Sequence, residues 1–305
     1  MRRGTVHSDP FLCRSQPVEG RSRMTQHESA PRRTVPELRA QKGGEKIVAL
    51  TAYSAPIAAI LDSCVDVLLV GDTVGMVVHG LPTTIGVTPE MMILHGRAVM
   101  RASKRALVVV DLPFGSYERC PQQAHETATR IVQETGCQAV KLEAFEGVSE
   151  TVAFLVGRGI PVLGHVGLRP QAANLDGGFK VKGRSRAERE RALAEAHAID
   201  EAGAFGVVIE GVAEDLAAEI TRSVRIPTIG IGASPACDGQ ILVIDDMIGM
   251  FERTPKFVRR YGAARDLIRE AARAYAADVR SGAFPSSQEL YRFKLMNAAN
   301  TELLP

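Results

Sequence analysis

Asp72, Asp111, Glu143, His165 and Glu210 each close a short apolar run: VDVLLVGD, ALVVVD, AVKLE, PVLGH and GVVIE. Ionisable groups placed after apolar runs are costly to bury without a task. Carboxylates brought close together raise one another's pKa unless a cation compensates. Mg2+ does so: it takes hard oxygen ligands, keeps waters and binds through a few carboxylates plus substrate oxygens. Asp72, Asp111 and Glu143 are therefore candidate magnesium ligands, direct or through water. Taken singly, each has a salt bridge to a nearby Lys or Arg as its alternative.

Lys141 precedes Glu143 by two residues, so on a strand the two side chains share a face. A lysine facing an interior beside acids can anchor a substrate carboxylate or stabilise an enolate. Its alternative is a structural ion pair. Glu210 follows the apolar run GVVI, a setting in which a carboxylate holds its proton more tightly and suits general-base work. A cap after the strand is the alternative. His165, in Gly164-His165-Val166-Gly167, can polarise a carbonyl or steady the metal site, or serve as a satisfied structural residue. The polar stretch 169–184 reads as a loop that can cover a site or grip an anion. Gly230-Ile231-Gly232 is a weak phosphate-loop signal, since it lacks a full GxGxxG.

Such residues need a frame. Eight short β-branched apolar runs recur along the chain: 47–53, 65–72, 106–113, 139–143, 161–168, 206–211, 227–233 and 240–246. Most are continuous rather than alternating, the pattern of parallel strands covered on both faces. Helical patterns lie between them, at Gln122–Glu134, Ser185–Ala202 and Ala213–Ser223 among others. This alternation predicts an α/β fold of the (β/α)8 barrel type. Active sites of such barrels sit at the C-terminal strand ends, where the five ionisable residues stand. The last two runs are too close for a crossover helix, so a single helical turn is predicted at Pro235–Asp238. An open doubly wound sheet is the alternative. Thr34 is a predicted N-cap for a short helix that ends at Gly43-Gly44, and a long helical pattern runs from Pro255 to Ser281.

The chain of 305 residues divides into a tail (1–33), a catalytic barrel with its C-terminal helix (34–285) and a second tail (286–305). The first tail holds seven arginines against three acids, and Met24 offers a second start within it. It reads as disordered or mis-started; Asp9, Glu19 and Glu28 argue against a transit peptide. The remainder carries 30 basic and 32 acidic residues. That balance excludes a basic nucleic-acid binder, and no apolar run of about 18 residues exists to span a membrane. The cysteines, Cys13, Cys64, Cys120, Cys137 and Cys237, are odd in number and show no CxxC spacing. A reducing, cytoplasmic compartment is expected.

The strings LTAY (50–53), LLVGDTVGM (68–76), DLPF (111–114), VKLE (140–143), GHVGLRPQ (164–171), GGFKVKGR (177–184), VIEGV (208–212), IPTIGIGA (226–233) and DGQILV (238–243) occur in one order. By them the chain resembles the 3-methyl-2-oxobutanoate (ketopantoate) hydroxymethyltransferase family over roughly residues 34–285. The resemblance implies a TIM-type barrel of the phosphoenolpyruvate/pyruvate-binding kind. It implies one-carbon transfer from 5,10-methylenetetrahydrofolate to 3-methyl-2-oxobutanoate, giving 2-dehydropantoate for pantothenate and coenzyme A synthesis. It implies Mg2+ on Asp72, Asp111 and Glu143, keto-acid contacts at Asp72, Thr73, Asp111 and Lys141, and Glu210 as proton acceptor. A homo-oligomer, as large as a decamer, is implied as well.

The chain departs from the family's usual pattern at Thr73 (usually Ser), Ser54 (Asp), Ser234 (Gly), Asp245 (His) and Arg253-Thr254 (His-Ile). None of these removes an expected ligand or the base; they bear on folate and subunit contacts. The competing enzyme reading is another Mg-dependent 2-oxo-acid C–C lyase of the same barrel class. The isocitrate-lyase type carries a loop cysteine, and 144–150 has none. A barrel kept as a binding scaffold is the non-enzyme reading, disfavoured by the retained acids, Lys141 and Glu210.

Overall fold

The computed structural model describes residues 31–291. The expectations for 1–30 (Cys13 and Met24 included) and for 292–305 fall outside the described residues. Helix α1 (Val35–Arg39) leads into β1 (Ile47–Thr51), followed by α2 (Ala55–Leu61). Then come β2 (Val67–Val70), α3 (Val74–Val77), α4 (Pro89–Ala102), β3 (Leu107–Asp111) and α5 (Pro121–Thr135). After these follow β4 (Ala139–Glu143), α6 (Val148–Val156), β5 (Val162–Gly167), α7 (Ala173–Asp176) and α8 (Arg186–Glu201). The chain continues through β6 (Gly206–Glu210), α9 (Glu214–Ser223), β7 (Thr228–Ile231), β8 (Gly239–Leu242), α10 (Ile244–Met247) and α11 (Ala264–Ser281).

The eight strands are parallel and close in sequence order, with β8 paired to β1 through Ile47↔Gly239 and Leu50↔Leu242. Closure excludes the open sheet. Period-two alternation explains the two cores. Ile47, Ala49, Val67, Leu69, Leu107, Val109, Ala139, Leu163, Val208, Ile229 and Ile241 form one cluster, the barrel interior. Their neighbours Leu68, Val70, Val108, Val110, Val140, Leu142, Val207 and Ile209 pack outward with the helices. Leu38 of α1 joins the interior cluster and closes its lower end. Thr34 caps α1 reciprocally with Glu37, as expected. Ser185 and Glu188 do the same for α8, satisfying N–H groups that the first turn leaves without partners.

Four expectations are corrected. Helix α1 ends at Arg39, short of Gly43-Gly44. The last apolar run is strand only to Leu242, and Ile244–Met247 is helical. Residues 235–238 form a turn and bend, not a helical turn. Lys46 Nζ lies 3.3 and 3.5 Å from the Pro235 and Ala236 carbonyls. The last helix begins at Ala264, not Pro255. The preceding segment folds back on α10: Tyr261 donates its N–H to Met247 O and Ala264 to Ile248 O, each at 2.8 Å. Those donors serve tertiary contacts rather than a longer helix. Cys64, Cys120, Cys137 and Cys237 are free, the last two buried. Among the described residues no helix is long and apolar enough to cross a membrane.

Candidate active site

Inward parity continues to the upper ends of the strands. Asp111 follows Leu107 and Val109, Lys141 and Glu143 follow Ala139, His165 follows Leu163, and Glu210 follows Val208, each in steps of two. All therefore point to the same side as the interior cluster. Register makes Asp111 the neighbour of Lys141 and Glu143 the neighbour of His165. Gly167 is opposite Glu210. Gly167 has φ +97, and a Cβ there would lie 2.3 Å from the Glu210 carbonyl, so only glycine lets these strand ends approach. Asp72 sits two residues beyond β2 rather than on it. It is held by its own N–H donating to Asp111 Oδ2 at 3.0 Å.

Asp72, Asp111, Lys141, Glu143 and His165 are buried. Lys141 Nζ lies 2.7 Å from Asp111 Oδ1. Burial works against the ammonium, but Asp111, Asp72 and Glu143 outweigh it and keep the group charged. Burial, with Asp111 next, pushes the Asp72 carboxyl up to about 7. Burial, then the charge of Asp72, pushes Glu143 well above the carboxylate range. One ammonium thus faces three buried carboxyl groups, a shortfall of positive charge.

His165 stands between two carboxylates. Its Nδ1 is 3.7 Å from Glu143 Oε1 and its Nε2 is 3.3 Å from Glu210 Oε2. Neither nitrogen has an aligned hydrogen-bond partner. Burial lowers its pKa and favours the neutral imidazole. The Glu210 side chain keeps 19% exposure, wetter than its apolar run suggests, because it ends β6 at the barrel mouth. Thr73 Oγ1 lies 2.7 Å from the Tyr53 hydroxyl.

Among the described residues, no three His, Cys, Asp or Glu side chains close into a metal cluster in this geometry. Lys141 Nζ lies on Asp111 Oδ1, and the Gln171 carboxamide donates to Asp72 Oδ2 at 2.8 Å. The donor set nevertheless fits Mg2+. The oxygens are hard, one ammonium faces three carboxyl groups, and Mg2+ is held by one or two carboxylates while it keeps waters. Sequence reasoning missed Gln171, Tyr117 and Tyr53. No spacing in the sequence ties them to the acids. Loop 169–184 is partly ordered: α7 lies within it, and Lys182 Nζ pairs with Asp176 at 2.9 Å.

A closed parallel barrel with acids, an ammonium and an imidazole at its upper strand ends defines an α/β-barrel enzyme. The family model described as Ketopantoate hydroxymethyltransferase matches residues 32–287. The 3-methyl-2-oxobutanoate hydroxymethyltransferase of Phenylobacterium zucineum (strain HLK1) is 61% identical over 264 residues, 87% of this chain and 96% of that protein. The enzyme of that name from Hyphomonas neptunium (strain ATCC 15444) is 59% identical over 271 residues, 89% and 98% of the two chains. The chain belongs to the ketopantoate hydroxymethyltransferase family. Among solved structures, phosphonopyruvate hydrolase in complex with oxalate and Mg++ superposes with a TM-score of 0.54 at 15% identity, covering 84% of this chain and 93% of that one. For 2,3-dimethylmalate lyase, described as a PEP mutase/isocitrate lyase superfamily member, the TM-score is 0.53 at 17% identity, with 86% and 93% covered. At such identities these likenesses speak for the fold alone.

Proposed function

We propose that the site transfers a one-carbon unit from 5,10-methylenetetrahydrofolate to 3-methyl-2-oxobutanoate, giving 2-dehydropantoate. The observation that carries this reading is the line Glu210, His165, Glu143, with His165 nitrogens 3.3 and 3.7 Å from the two carboxylates. It sets a partly solvated base beside a buried, charge-deficient acid cluster. Asp72, Asp111 and Glu143 are the residues that would hold Mg2+, which supplies Lewis-acid stabilisation of a developing enolate.

Glu210 accepts the proton from C3 of the keto acid. Lys141 Nζ holds positive charge where the enolate oxygen develops, and the neutral His165 ring is available as a donor. Thr73 and Asp72 orient the keto acid. The enolate carbon bonds to the folate methylene carbon, both C–N bonds of that carbon break, water supplies the hydroxyl, and the folate nitrogens take up the C3 proton and one proton of the water.

Two wider readings accompany this. The free cysteines support a reducing, cytoplasmic setting. Helix α11 buries none of its 18 residues, yet exposes Leu267, Ile268, Tyr275 and Val279. Ile268, Tyr275 and Val279 recur at helical spacing on one face. That stripe supports a homo-oligomer in which a second copy covers it.

The direct test supplies Mg2+, 3-methyl-2-oxobutanoate and methylenetetrahydrofolate and measures 2-dehydropantoate. Product formation is expected. A folded, metal-loaded protein that yields none rejects the reading, and cleavage of a 2-oxo acid instead points to the lyase.

A further inference from the structure

Gln171 lies four residues beyond β5, in the 3-10 turn Pro170–Ala172, and its side chain is buried. Its Nε2 donates to Asp72 Oδ2 at 2.8 Å and to the Leu112 carbonyl at 3.0 Å. Its main-chain N–H donates to the Glu143 carboxylate, 3.2 and 3.3 Å from the two oxygens. Its Oε1 accepts from the Tyr117 hydroxyl at 2.5 Å. The Tyr117 oxygen in turn accepts the Glu143 main-chain N–H at 3.2 Å.

This network permits one amide orientation. Turned over, the carboxamide would set its oxygen against a carboxylate and a carbonyl, and its NH2 against a hydroxyl whose lone pair is already engaged. Tyr117 therefore locks Gln171. The Tyr117 ring is itself packed on Phe145, with centroids 5.8 Å apart. One loop residue so grips two acids that come from β2 and β4, with β3 between them.

We propose that Gln171, locked by Tyr117, is a positioning residue that orients the Asp72 and Glu143 carboxyl groups for binding a divalent cation. The inference rests on the magnesium reading above. Without the amide, Asp72 Oδ2 loses a donor, and the two like-charged groups have no common tether. Partners one step removed from a metal govern its affinity by about 10–100-fold.

The test uses the full chain and Mn2+ as a paramagnetic probe. Free Mn2+ is read by electron paramagnetic resonance for wild type, Gln171→Met, Tyr117→Phe and the double variant. Gln171→Met keeps the volume and removes the donors and the acceptor. Its Mn2+ affinity is expected to fall about 10–100-fold. Tyr117→Phe is expected to lose less, and the double variant no more than Gln171→Met alone, because Tyr117 acts through Gln171. High Mg2+ is expected to restore kcat of Gln171→Met, whereas a purely structural lesion leaves kcat low at every metal concentration. Wild-type Mn2+ affinity in folded Gln171→Met overturns the proposal. Full additivity in the double variant removes the lock. If Gln171→Met fails to fold, Tyr117→Phe decides: unchanged affinity overturns the proposal. A wild-type protein that takes up no Mn2+ overturns the magnesium reading itself, and this inference with it.

Discussion

Lys141 Nζ stands 2.7 Å from Asp111 Oδ1, and both side chains are buried at the mouth of the barrel. The pair is the site's internal counterion arrangement, since Lys141 is the ammonium group among three buried carboxyl groups. Removing one member of a buried pair leaves an uncompensated charge. Lys141→Met is expected to lower metal-free stability by about 3–5 kcal/mol. Urea unfolding measures it; a loss below about 1 kcal/mol would mean that the pair contributes as little as an exposed one.

Glu210, the proposed proton acceptor, lies 3.3 Å from His165 Nε2 and apart from the three proposed metal ligands. Glu210→Gln is expected to slow deuterium exchange at C3 of 3-methyl-2-oxobutanoate by about 10²–10⁴-fold, the span for a lost general base. Mg2+ affinity should stay unchanged. Exchange at the wild-type rate assigns the proton to another group.

Asp72 gives metal-free stability a pH dependence of unusual sign. Burial and then Asp111 raise its carboxyl from 3.8 to about 7. A raised folded-state pKa means that the native state favours the neutral acid. The contribution is complete below 3.8 and is lost as pH rises through about 7. Urea midpoints of metal-free protein should carry this falling component across that window, and Asp72→Asn should remove it. An identical pH slope in the variant refutes the assignment. Mg2+ addition within the window should also release protons, readable in weakly buffered solution.

Asp62 works with the opposite sign. It accepts from Ser103 Oγ at 2.6 Å and from the N–H groups of Lys104, Arg105 and Ala106 at 2.7, 2.9 and 3.0 Å. Burial pushes its pKa up, but these donors outweigh burial and hold it below its ordinary value. Its stabilisation is present above 3.8 and is lost as pH falls through the depressed value. Asp62→Asn sets an NH2 against donors and should cost at least about 2 kcal/mol, with about 1–3 kcal/mol for each group left unpaired. The difference from wild type should shrink in acid; a pH-independent difference would show that charge is not involved.

The α11 stripe gives an assembly prediction. Ile268→Glu, with Tyr275→Glu if needed, should reduce the mass seen by light scattering after gel filtration while leaving the barrel folded by circular dichroism. Each substitution places a charge on the face proposed to meet a second copy, where desolvation disfavours it. An unchanged mass removes α11 from the subunit contact.

Most of the architecture was legible in the sequence. The eight apolar runs became the eight strands, because strands covered on both faces must be apolar without interruption. Helices α5, α8 and α9 fell within a residue of their expected ends, where Pro121, Ser185 and the acidic start Glu214-Asp215 mark them. The turn at 235–238 and the late start of α11 were not legible. Each depends on partners distant in sequence: Lys46 is 189 residues from Pro235, and Tyr261 commits its N–H to Met247.

For the site, the sequence alone determined which ionisable groups close the apolar runs and that Lys141 and Glu143 share a face, both local rules. Tertiary structure alone decided how they meet. His165 lies between Glu143 and Glu210 only because β4, β5 and β6 are adjacent in the closed sheet. Gln171 reaches Asp72 across 99 residues of chain. A hydrogen bond of that span leaves no spacing to read, since it arises from barrel closure bringing two loops over one mouth.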